Sequence, residues 1–137
     1  MAGEFIKIHV TYDGQNPAGE WLWAVRISPT TAKVDNIPFF TTAFTLGDLV
    51  KIDRRHEVVR VLERGARTRH ATYPKKGSEA TIRKRYTRIK EYLNRYDVEV
   101  EGAFPGLLAM AVPLDVSDDD LHAICLACPV SLEVLEP

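Results

Sequence analysis

Three soft side chains fall at three-residue steps near the C-terminal end of the chain: His122, Cys125 and Cys128. On a helix they drift around one side, where an imidazole and two thiols offer zinc the ligands it takes in structural sites. Such a site needs a fourth ligand. His9, His56 and His70 are single and scattered, and no second cysteine pair exists. The expectation is two small, buried, apolar cysteines with His122 at the helix surface, and no metal. A redox pair is also disfavoured: a reactive Cys-x-x-Cys opens a helix, where the dipole lowers the thiol pKa, and this pair closes one. His122 sits one turn from Cys125 on the same helix, which is poor geometry for a general base. The chain has no Gly-x-Ser-x-Gly elbow, no phosphate loop and no Gly-x-Gly-x-x-Gly. Lys76-Gly77-Ser78 could hold an anion at a helix start, but a loop leading into a capped helix is the plainer account. Glu20 and Asp48 could meet as an acid–base pair if a cleft separated their pKa values. Asp48 after Gly47 reads more simply as a turn residue bonding its own backbone. No catalytic residue and no cofactor are expected.

The remaining candidates concern binding. Lys51–Arg95 carries fifteen Lys or Arg against five acids, whereas Tyr96 to the end carries nine acids and no Lys or Arg. Such segregation suits an electrostatic partner surface, and equally suits neutralisation of one segment by the other. Arg54, Arg55, Arg83, Lys84 and Arg88 are the expected basic contact residues, and the run on the helix 78–95 could also meet phosphates. Trp21, Trp23, Phe39, Phe40 and Phe44 could line a small-molecule pocket. Core packing is the default for them, with one of the adjacent Phe39 and Phe40 exposed at a recognition surface.

These residues must be placed by the elements around them. Phe5–Val10 and Trp21–Ile27 read as strands, with Trp21, Trp23, Val25 and Ile27 on one face. Pro38 assigns Asn36–Phe40 to an edge, bulge or loop. Leu49–Ile52 and Val58–Leu62 form a hairpin across Asp53-Arg54-Arg55-His56. Arg67–Tyr73 is a strand. Ser78 caps a helix whose apolar stripe is Ile82, Tyr86, Ile89, Leu93 and Tyr96. Asp97–Glu101 alternates as a strand, Pro105-Gly106 turns, and Leu107–Val112 is apolar on both faces, as a central strand is. Ser117 followed by three aspartates starts a second helix, Pro129 ends it, and Val130–Leu135 is a last strand.

At Trp21-Leu22-Trp23-Ala24, Val34–Phe40, Leu46–Val50, Arg64-Gly65 and Arg69 the chain resembles a bacterial family known as domain of unknown function 4265. The resemblance covers most of the chain, with its distinctive motifs in roughly the first half. It implies a cytoplasmic bacterial protein and no particular activity.

At 137 residues, the chain has material for a core without staples. Its longest apolar stretches, such as Gly106–Pro113, are far short of the ~20 residues of a membrane helix, and Met1–Phe5 does not read as a secretory signal. Two close cysteines without a disulfide framework suit a reducing cytoplasm. The expected fold is α+β: a β-rich lobe over residues 1–65, a small curled sheet or partial barrel, followed by a ferredoxin-like β-α-β-β-α-β lobe over 66–137, the two together forming one cooperative domain or two lobes. The expected function is non-catalytic binding of a protein partner, with an immunity-type protein that neutralises a toxin as one concrete form. The alternatives are nucleic-acid binding through the basic helix, and a small-molecule binder or enzyme with an aromatic-lined pocket.

Overall fold

The computed structural model describes residues 3–11, 19–39, 41 and 43–136. Those residues form an α+β structure with two antiparallel sheets and two helices. The chain divides into two compact units, Met1–Arg67 and Thr68–Pro137.

The first unit is a five-stranded meander: β1 (Phe5–Val10), β2 (Glu20–Ser28), β3 (Thr31–Val34), β4 (Leu49–Ile52) and β5 (Val58–Glu63), adjacent in that order. The sheet curls until its first and last strands meet. The His9 amide donates to His56 O at 2.8 Å, and His9 and Glu57 form a parallel bridge. The β4–β5 turn is built by Asp53, whose Oδ1 accepts from the Arg55 and Glu57 amides at 2.8 and 3.0 Å. His56 completes it with φ at +61°. Its Nδ1 donates to Lys7 O at 3.1 Å, so its Nε2 is left to accept from Arg26 Nη2 at 2.9 Å. The turn is thereby fastened to β1 and β2.

The interior is aliphatic. Ile6, Ile8, Leu22, Ala24, Ala32, Val34, Val50 and Ile52 surround Phe44. The expected core face of β2 is therefore inverted: Leu22 and Ala24 point inward, while Trp21, Trp23 and Ile27 are exposed. A sheet of few strands encloses a narrow interior. Two alanines and one phenylalanine share that space here, and two indoles are left outside.

The second unit takes all but the first two residues of β6 (Ala66–Thr72), then α1 (Glu79–Asn94), β7 (Glu99–Phe104), β8 (Leu107–Pro113), α2 (Asp118–Leu126) and β9 (Glu133–Val134), with sheet order β7-β8-β6-β9. The Ser78 hydroxyl accepts from the Thr81 amide, and the Ser117 hydroxyl accepts from the Asp120 amide. Each satisfies a donor that a helix start leaves open. Ile89 and Leu93 of α1 and Leu121 and Cys125 of α2 share one core with Leu108, Met110 and Val112 of β8.

The larger departures from the sequence reading lie after α1 and at the C-terminal strand. The strand expected from Asp97 starts at Glu99, because Asp97 takes φ +61° in a left-handed turn ending α1. Tyr96, placed on the helix stripe, lies beyond α1 and is exposed. The last strand is only Glu133–Val134, paired with β6 at Ala71 and Thr72. Val130 still enters the core, but outside the strand. No helix among the described residues is long and apolar enough to cross a membrane.

Candidate functional site

The residues first singled out for chemistry serve packing and backbone. Cys125 is buried and Cys128 half-buried, both free. Burial, and behind it the neighbouring Cys128, pushes the Cys125 thiol up to about 11. At neutral pH it stays protonated, the form that neither attacks nor binds a metal. His122 is exposed. No group of three or more His, Cys, Asp or Glu suited to a metal occurs among the described residues.

Glu20 and Asp48 serve different parts of the backbone. Glu20 Oε2 accepts from the Phe39 amide at 2.8 Å. Asp48 is buried and accepts from the Thr45 and Gly65 amides, both at 2.9 Å, with Arg64 Nε 3.8 Å away. Arg85, in the second turn of α1, donates to Pro74 O at 3.0 Å and Lys76 O at 2.5 Å. It fastens the loop that leads into α1.

The expected contact residues are dispersed. Arg54 and Arg55 project from the β4–β5 turn. Phe39 is half-buried, and Phe40 lies outside the described residues. Arg83, Lys84 and Arg88 are exposed on one face of α1, opposite its core stripe. They form no ion pair with a described acid. Of the acidic C-terminal residues, Asp118 takes Arg69 of β6, with Nε to Oδ1 at 3.1 Å and Nη2 to Oδ2 at 3.3 Å. Contact between the basic and the acidic segment thus includes Arg69, while Arg83, Lys84 and Arg88 pair with no described acid.

Among the described residues of the first unit, three exposed aromatic side chains share the outer face of β1 and β2. Register sets Phe5 opposite Val25, Lys7 opposite Trp23 and His9 opposite Trp21. Phe5 is 63% exposed, Trp21 59% and Trp23 45%. Lys7 Nζ stands 5.1 Å from the centre of the Trp23 ring, within cation–π range. The His9 and Trp21 ring centres are 4.6 Å apart. His9 is itself held from the far strand: Nδ1 lies 2.6 Å from Glu57 Oε2, while Thr11 Oγ1 donates to Glu57 Oε1 at 2.5 Å. Both indoles are therefore braced although exposed.

Burial raises the Glu57 pKa, but hydrogen bonds from Thr11 and His9 and the His9 charge outweigh it, leaving the carboxyl below its ordinary 4.5. A depressed folded-state value means that the ionised form favours the fold. The stability difference between wild type and Glu57→Gln is expected to be full above pH 4.5, and to close as pH falls through the depressed value. Urea titrations of both proteins across that range measure it. A difference independent of pH would show that Glu57 acts by shape alone.

Sequence reasoning missed this face because it put the bulkier parity of β2 inside. The usable signal was in β1, where Ile6 and Ile8 alternate with Lys7 and His9. The polar parity of β1 must face outward, and it is the one paired with the tryptophans.

In the second unit a groove of about 340 Å³ runs between α1 and the β7–β8 hairpin, lined by Tyr73, Ile82, Arg83, Tyr86, Gly102 and Phe104 among others. The Tyr73 and Tyr86 ring centres are 6.5 Å apart. Phe104 is 64% exposed. An aromatic-lined hollow thus occurs in this unit.

The fold and the sequence can be set beside known proteins. A crystal structure described as that of a hypothetical protein from Neisseria gonorrhoeae superposes with a TM-score of 0.66 at 17% identity, covering 99% of this chain and 94% of that one. At that identity the likeness concerns the fold alone. A search of curated proteins finds no match. The sequence pattern described as Domain of unknown function (DUF4265) matches residues 20–128, from the start of β2 to just past α2. That span is well over half of the chain, which therefore belongs to the DUF4265 family.

Proposed function

We propose that this is a non-catalytic binding protein that holds a protein partner against the outer face of β1 and β2. The observation that carries this reading is the exposure of Trp21 and Trp23, side by side on one strand and braced from β1. Contiguous exposed apolar surface on a soluble domain marks interaction sites, and tryptophan is enriched among residues that dominate binding energy. The contacts of Lys7 and His9 reduce the rotamer freedom each indole would lose on binding. An immunity-type protein that neutralises a toxin enzyme in the bacterial cytoplasm is the concrete form we favour. Two free cysteines fit that compartment.

The architecture suits a scaffold of this kind. The meeting of β1 and β5 at His9 and Glu57 supports reading the first unit as a partial barrel. The β-α-β-β-α-β order supports reading the second as ferredoxin-like. Neither architecture carries a fixed chemistry, so the assignment rests on the exposed face.

The test is capture from a host extract on immobilised full-length protein, comparing wild type with Trp21→Ala/Trp23→Ala. Both side chains are exposed, so each substitution should alter stability by no more than about 0.5 kcal/mol, which circular dichroism and melting check. A protein retained by wild type and lost with the double variant is expected. Identical captured material from both would end the reading.

A further inference from the structure

We infer that the second unit carries a separate binding site, in which the groove between α1 and the β7–β8 hairpin takes an aromatic side chain from a protein segment whose flanking residues are acidic. The groove's size selects the occupant. About 340 Å³ is near the lower end of the ~300–1,000 Å³ typical of ligand sites, enough for one ring system with its linking carbons. Its walls are aromatic, with Tyr73 and Tyr86 on the inner side and the exposed Phe104 at the mouth. Offset and edge-to-face contacts with such walls favour another ring over an aliphatic chain. Gly102 keeps the floor open. A Cβ there would lie 3.1 Å from Tyr86 Cε1, so only glycine lets that ring lie against β7 without yielding.

The charge beside the groove selects the flanking residues. Arg83 lines the groove and begins the exposed α1 row that continues through Lys84 to Arg88. The row makes no ion pair with a described acid and so offers its charge to a partner. From Arg83 to Arg88 is about 7.5 Å along the axis at the ~1.5 Å rise of a helix. Glu79, in the groove lining, and Glu91, on the same helix face, bracket it. Glu101 adds a negative charge close enough to Tyr86 to help raise its pKa, after burial. A short cationic row between carboxylates matches one or two acidic side chains. The carboxylates of Glu79 and Glu91 at its ends oppose the longer run of phosphates that a nucleic-acid strand brings. An aromatic anchor in a pocket with charges at its rim is also the ordinary anatomy of a protein interface.

The test is selection of a displayed random-peptide library on the full chain, followed by fluorescence anisotropy with a labelled peptide from the enriched set. The expected result is enrichment of an aromatic residue adjoining Asp or Glu. Phe104→Ala and Arg83→Glu, both at exposed positions, should each weaken that peptide about tenfold or more. Trp21→Ala/Trp23→Ala should leave it unchanged, which separates this site from the β1–β2 face. Circular dichroism checks that each variant is folded. The proposal is overturned by failure to enrich any peptide, by enriched peptides lacking an aromatic or an acid, or by full affinity in Phe104→Ala and Arg83→Glu. It is also overturned if labelled oligothymidylate binds this face more tightly than the peptide, which would assign the row to nucleic acid.

Discussion

Asp48→Ala is expected to destabilise the protein by about 3–5 kcal/mol, because it removes a buried acceptor, shared by two amides and Arg64, from groups that have few alternatives. Asp48 is buried in the connection between β3 and β4, and its two oxygens are divided between separate parts of the chain. Oδ2 accepts from the Thr45 amide and lies within ion-pair distance of Arg64, and Oδ1 accepts from the Gly65 amide. One side chain thus closes its own turn and ties the end of β5 to it. Alanine leaves the buried Thr45 amide without its acceptor and gives no atom to hold Gly65. Asp48→Asn is the gentler change: it keeps one acceptor but turns an NH₂ toward the other amide, so a loss of about 1–3 kcal/mol is expected. Domain stabilities are about 5–15 kcal/mol, so the alanine variant should shift a urea midpoint far to the left. Hydrogen exchange at Thr45 and Gly65 should accelerate with it. A loss below about 1 kcal/mol would mean that water replaces the carboxylate and the tie is weak.

The same residue shows where sequence reading succeeds. Gly47 takes φ +89° and Asp48 follows it in a turn, as the Gly-Asp pair implied. Both helices were legible because their signals are local: a capping serine, acids in the first turn, and an apolar stripe of fixed period. What stayed hidden depends on pairing across the chain. The inward face of β2 is decided by the narrow interior and by its register with β1, and the bulk of Trp21 and Trp23 argues for the wrong answer. Arg26 shares the inward parity with Ala24, which looks impossible in isolation. Its guanidinium is in fact satisfied by Glu4, His56 and the carbonyls of Ser28 and Pro29. Glu57 reaches His9 across 48 positions, and no spacing rule predicts such a bond. The groove likewise joins Tyr86 of α1, Phe104 of β7 and Tyr73 just beyond β6, with Gly102 as its floor. The basic run of α1 could be read from the sequence. That it borders an aromatic hollow could not.

Gly19→Ala is expected to couple a stability loss to loss of binding at the β1–β2 face. Gly19 precedes β2 and takes φ +68°. A Cβ there would collide with Val10 O and stand 2.8 Å from Cε1 and Nε2 of the His9 ring. The first contact is with backbone, so rotating a side chain does not relieve it. A left-handed alanine costs ~1–2 kcal/mol, and forced overpacking ~1–3 kcal/mol. A total of about 2–4 kcal/mol follows after partial relaxation. Relaxation must move β1 and the start of β2 apart, and the His9 ring away from Gly19. Those are the contacts that brace Trp21 and bring His9 to Glu57. Trp21 fluorescence should therefore shift, and the captured partner should be lost at temperatures where the variant is still folded. Trp21→Ala/Trp23→Ala removes the indoles and leaves stability nearly intact, whereas Gly19→Ala keeps the indoles and removes their support. If the glycine variant loses stability yet binds its partner with wild-type affinity, the bracing by His9 contributes nothing to recognition, and the indoles act without it.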